Sequence, residues 1–259
     1  MRAGISAFCL AMLWVAPAAA DPTAADLAAH RAAGEQLGAL IGGAREQGDR
    51  PDLETAEAAG LIEIISNAQK VLRPGEYDPD ELGDLLAVCQ VANQVAVGLV
   101  LFGVTPEQMA RPGEVATVAS RNTEAFQSQL ARVQPFLLRC LAKEVPALER
   151  FMATLAPEEM TDVRKDGLKQ ARAGIFQIYV GTLQAANDVR YREDYRLALL
   201  SALAETSDRF VSIITPEVRR ELLGLVRAAA GQTQGPSEVH LGEIARQLAD
   251  ESCGSLCKL

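Results

Sequence analysis

Four segments of this chain announce helix starts with a proline and an acidic residue behind it: Asp78-Pro79-Asp80-Glu81, Thr105-Pro106-Glu107-Gln108, Ala156-Pro157-Glu158-Glu159 and Thr215-Pro216-Glu217. Proline at the first helical position gives up no hydrogen bond, because that N–H would be unpaired anyway. The carboxylates behind it face the positive end of the helix dipole. Asp78 with Glu81, and Thr105 with Gln108, add the capping-box spacing. Between these marks apolar residues recur at steps of three and four, and no alternating run is long enough for a strand. The fold class that follows is all-α: an irregular multi-helix bundle of about nine helices, possible as two lobes meeting near residues 104–114. The helices are expected near 23–46, 53–72, 79–103, 114–134, 136–155, 157–187, 192–213, 216–230 and 237–252. The helix starts are unevenly spaced, which excludes a solenoid. Pro135 and Pro146 interrupt an apolar stripe running from Phe126 to Met152, so a break or kink is expected there.

The first twenty residues stand apart from this pattern. Arg2 supplies a positive start, Ile5 to Val15 is an uncharged apolar run, and Ala16-Pro17-Ala18-Ala19-Ala20 places small residues before Asp21. This is the layout of a cleavable secretory signal peptide, cut after Ala20, and the apolar run is short for a membrane span. Cys9 lies inside that run, away from the position of a lipoprotein cysteine. The expectation is a mature helical domain over residues 21–259 in the periplasm or the medium. Arginine outnumbers lysine, as a GC-rich bacterial genome would produce. The formal charge of −9 becomes one unit more negative when Arg2 leaves with the leader. Such a chain is a poor partner for nucleic acid or anionic membrane surfaces, and its acidity serves solubility.

An exported chain with four cysteines beyond the leader, Cys89, Cys140, Cys253 and Cys257, suggests two disulfides. Three pairings exist. Cys89 with Cys140 and Cys253 with Cys257 is the favoured one, because the inner two lie on apolar helical stretches that a bundle can bring together. The alternatives are a tail folded back onto the inner cysteines, or inner thiols left free as small hydrophobes. Cys253-Gly254-Ser255-Leu256-Cys257 has three intervening residues and no βαβ context, so a structural bridge is expected rather than a redox pair.

Two internal patterns invite a functional reading. Leu85 to Val104 carries no charge over twenty residues and would reach across a bilayer as a helix. Gln90, Asn93 and Gln94 form an amide patch near its middle, which lipid would leave unsatisfied, so a buried core helix is favoured over membrane association. The patch is expected to be a core hydrogen-bond network, with the polar spot of an apolar ligand cavity as the alternative. Farther on, Gly167, Ala171, Gly174, Ile178 and Gly181 follow one another on a single helical stripe. Each interior glycine costs about 1 kcal/mol against alanine, which suggests that another backbone lies against the stripe. The expectation is close packing within the chain, with a dimer seam or a ligand slot as the alternative. Gly34, Gly38 and Gly42 repeat the idea in the first helix.

Residues for chemistry are sparse. His30 and His240 begin no metal pattern, and the pairs Asp26–His30 and His240–Glu243 read as surface ion pairs. The run Asp78, Asp80, Glu81, Asp84 resembles a calcium loop, but Cys89 stands where the closing glutamate belongs, and helix capping explains the run. No catalytic residue, cofactor site or metal site is indicated. The charged, aromatic stretch Arg190 to Arg196 reads as a mixed-charge helix start. The functional expectation is a non-catalytic scaffold whose partner is another protein or an apolar small molecule. The alternative is an enzyme built from carboxylates and tyrosines scattered along the chain.

Overall fold

A computed structural model describes residues 20–259; the expected signal peptide and its cleavage site lie outside the described residues except for Ala20 and Asp21. The chain is all-helical. Its helices are α1 (Ala24–Gln47), α2 (Ala56–Ser66), α3 (Ala68–Val71), α4 (Leu82–Val100), α5 (Pro106–Met109) and α6 (Pro112–Ala125), followed by α7 (Gln127–Thr154), α8 (Asp162–Asn187), α9 (Glu193–Val211), α10 (Pro216–Ala230) and α11 (Pro236–Leu248). Nine of these have seven residues or more, and no strand occurs among the described residues.

The punctuation read from the sequence acts as capping. Asp78 and Thr105 donate their backbone N–H groups to Glu81 and Gln108 at 2.7 and 3.0 Å, and Thr105 Oγ1 accepts from the Gln108 N–H. Ala156 N–H likewise donates to Glu159 at 2.9 Å. The acidic run near Asp78 therefore serves the start of α4, where Pro79–Glu81 forms a 3₁₀ turn.

The helix at the centre of the bundle departs from expectation. α7 runs unbroken through Pro135 and Pro146, and the interruption falls upstream, at Phe126, between α6 and α7. Two interior prolines cost a helix about 6 kcal/mol. Eight large apolar side chains of α7, from Leu130 to Leu148, are buried. At about 2 kcal/mol each, their burial outweighs the prolines more than twofold. Phe126 is held out of helical geometry by its own contacts: its ring is buried, meets Phe102 edge-on at 6.4 Å, and carries the Arg50 guanidinium on its face.

α7 packs against α9, α4 and α2, while α1 closes over α2 and α4. α8 rests on α9 and lightly on α7, α11 joins α9, and α10 packs on α11. The buried apolar residues form one continuous core. The Cys89–Cys140 disulfide ties α4 to α7 inside it, and Cys253–Cys257 closes the tail; tail-to-core pairings do not occur. Asn122 of α6 caps the end of α4 by donating to the carbonyls of Val100 and Phe102.

Close helix approach occurs at Gly34 rather than on α8. A Cβ at Gly34 would meet Val91 Cγ1 of α4 at 2.5 Å, whereas Gly38 and Gly42 are open. Gly167, Gly174 and Gly181 have no atom within 4 Å of a Cβ position, so the expected packing of another backbone on that stripe is corrected. The buried positions of α8 include Leu168, Ile175 and Thr182. Each glycine stands one residue before one of them, about 100° away around the helix, which turns the stripe aside from α9.

α4 is long and apolar enough to cross a membrane, and in the fold its Leu85, Cys89, Ala92, Ala96 and Leu99 side of the helix is buried. Gln90 and Gln94 lie on the opposite side and are exposed, with Asn93 half-buried. The expected core amide network is corrected: burying the other face of α4 leaves these side chains to solvent. His30 is also corrected, since it is buried beside Phe136 and burial lowers its pKa, while Asp26 serves the Thr23 cap. Glu243 pairs with Arg246 instead of His240.

Candidate functional site

The unpacked side of α8 borders a groove of about 560 Å³. α4 and α6 form the facing wall, α7 supplies Gln134 and Leu137, and the turn after α8 closes one end. The space exists because the facing residues are short: Ala96, Ala116, Ala119, Gly181 and Ala185. Val97, Val100, Leu101, Leu137 and Ile178 make most of the surface apolar, with Asn93, Ser120, Thr123, Thr182 and Gln184 also on its border. Three features read separately from the sequence meet here. Asn93 comes from the amide patch, Ile178 and Gly181 come from the glycine stripe, and Tyr191 and Tyr195 come from the charged, aromatic stretch. Gly167, Ala171 and Gly174 lie farther along α8, outside the groove, and so do Gln90 and Gln94.

Hydrogen-bonding groups collect at one end. Tyr195 donates its hydroxyl to Gln134 Oε1 at 2.6 Å, and the rings of Tyr191 and Tyr195 meet edge-to-face at 5.7 Å. Burial raises the Tyr195 pKa, so the phenol stays neutral. Arg190 binds the Asp188 carboxylate through its guanidinium and its backbone N–H, and this holds Asp188 below the usual carboxylate range. The polar end is therefore electrically balanced. It offers hydrogen bonds without a net charge.

A larger groove of about 810 Å³ lies between the α2–α3 corner, α7 and α9, and its lining is highly charged. Its charges are already matched. Arg139 forms a forked pair with Glu205, Arg209 lies near Glu76 and Asp208, and Lys143 donates to the carbonyls of Pro74 and Gly75. A ligand entering this groove would have to displace those partners.

Two further acids with raised pKa values lie outside both grooves. Glu144 is buried on α7, and burial pushes its carboxyl up to about 8. Tyr179 is pushed up to about 12 by burial, against a hydrogen bond with Ser207 at 2.9 Å. No group of three or more His, Cys, Asp or Glu among the described residues could hold a metal ion. Compared with family models, curated proteins and solved structures, the chain matches nothing.

Sequence reasoning missed Tyr191, Tyr195 and Gln134 as site residues. The available signal was two large aromatic side chains within a charged stretch, since such side chains bury area that the charges around them do not. Tyr191 lies before α9 and Tyr195 in its first turn.

Proposed function

We propose that this protein is an exported binding protein for a small, elongated, apolar molecule, held in the groove between α4, α6 and α8. One observation carries the reading: a mainly apolar groove lined by short side chains, with the neutral Tyr195–Gln134 pair on its border. Ligand sites typically have this size and this division between apolar wall and sparse polar anchors. The balanced Asp188–Arg190 pair and the neutral Tyr195 suit an uncharged polar head better than a carboxylate or an amine. Both disulfides are compatible with an extracellular or periplasmic protein, and a cleaved leader would deliver it there.

Titration with the uncharged apolar fluorophore N-phenyl-1-naphthylamine tests the proposal. Wild-type protein is expected to bind it saturably. Gly181→Leu places a larger side chain into the groove from a position where a Cβ meets nothing, so it should abolish binding while melting no lower than wild type. Equal binding by both proteins would refute the assignment.

A further inference from the structure

We propose that the Cys253–Cys257 ring is a reducible latch: a dithiol that opens it frees residues 250–259 and loosens the first turns of α10, while the bundle and the Cys89–Cys140 bond stay intact. This goes beyond the groove reading and does not depend on it. After α11 the tail has no regular secondary structure beyond turns, and its anchors come from other helices. Arg219 of α10 donates to the Asp250 carbonyl, and Arg172 of α8 donates to the carbonyls of Leu256 and Cys257 at 3.0 Å. Gly254 N–H donates to the Ser212 carbonyl at 2.8 Å, and Leu256 is fully buried. The seat is close-fitting at Gly254, where a Cβ would run into the Glu149 carboxylate and come within 3.0 Å of the Ser212 carbonyl oxygen.

The closed tail leaves polar groups unsatisfied. Arg219 is 2% exposed, and its Nε and Nη2 have no hydrogen-bond partner. Buried donors and acceptors without partners are unfavourable, and water would satisfy them once the tail lifted. Both cysteines lie in the tail, so the ring keeps it seated by limiting the freedom it would gain on lifting. α10 packs chiefly on α11, and Arg219, the buried residue nearest its start, ties it to the tail at Asp250.

The two disulfides differ in access. Cys89 and Cys140 are buried, while Cys253 is only partly so. A thiolate of the dithiol attacks Cys253 Sγ, the Sγ–Sγ bond breaks, and Cys257 leaves as a thiolate that takes up a proton. The second thiol of the dithiol then displaces Cys253 from the mixed disulfide. Two electrons and two protons pass to the protein, and the dithiol becomes a disulfide. The Ile214 carbonyl oxygen, 3.6 Å from Cys257 Sγ, is placed to accept from the new thiol.

The test is graded reduction of the full protein with dithiothreitol, followed by alkylation mapping and hydrogen exchange. Cys253 and Cys257 should label before Cys89 and Cys140. Exchange should accelerate at least about tenfold in residues 216–222 and 250–259, with the rest of the bundle unchanged. Simultaneous labelling of both pairs, or opening of the ring with no change in residues 216–222, would overturn the latch. The Cys253→Ser/Cys257→Ser double variant should give the open pattern without reductant, and full protection there would overturn it equally.

Discussion

Glu144 gives the most quantitative handle on this core. It follows Cys140 by one turn of α7 and is 5% exposed. Burial, with no neighbouring charge to offset it, moves its pKa from 4.5 to about 8. Below pH 4.5 the carboxyl is protonated in the folded and the unfolded chain alike, so it contributes no pH dependence. Between pH 4.5 and about 8 the unfolded chain ionises while the folded protein keeps its proton. The folded state then binds more protons, so stability falls as pH rises. At 1.36 kcal/mol per pKa unit, the full loss is about 5 kcal/mol. Glu144→Gln removes the titration while nearly preserving shape. Urea unfolding of both proteins from about pH 4 to about pH 9 should therefore show the variant gaining on wild type by about 5 kcal/mol across the range, whatever their offset at low pH. Parallel stability curves would refute the claim that this carboxyl is buried and unpaired.

Three further expectations follow from the packing. Gly34→Ala should lower stability by about 1–2 kcal/mol, because Val91 is stiff and must move, whereas Gly174→Ala should raise it by up to about 1 kcal/mol through helix propensity alone; thermal melts of the two variants decide. His30, buried with Nε2 unpartnered and its pKa depressed, should make wild type lose stability as pH falls below 6.5, and His30→Leu should flatten that acid limb in the same urea series. Cys89→Ala/Cys140→Ala opens a loop whose ends are 51 residues apart and should cost about 4 kcal/mol, measured by denaturant midpoint.

The sequence disclosed what local chemistry controls. Asp78 and Thr105 mark helix starts by satisfying backbone N–H groups within their own turn, so no tertiary knowledge is needed to read them. The start expected at Pro157 is only a 3₁₀ turn, and α8 begins at Asp162 behind Thr161. The disulfide pairing was legible only in part: export and helical placement favoured Cys89 with Cys140, and the fold excludes the tail-to-core alternatives. Properties set by neighbours were not. Pro135 and Pro146 look like helix breakers locally, but burial of the Leu130–Leu148 face overrides them. Gln90 and Gln94 could face the core or solvent, and which side of α4 meets α7 decides it. The glycine stripe on α8 could be recognised, yet only the position of α9 reveals that it turns away. The groove depends on gaps between α4, α6 and α8, and no single segment encodes a gap. Tyr195 and Gln134 lie 61 residues apart and meet only in the fold.

Native mass spectrometry of the protein isolated without denaturation from its own compartment tests the central claim most directly. The groove between α4, α6 and α8 predicts a bound adduct of small-molecule size on wild type, extractable into organic solvent and absent from Gly181→Leu isolated in the same way. An adduct retained by Gly181→Leu, or wild-type protein that carries no adduct and also fails to bind the fluorophore, would contradict it.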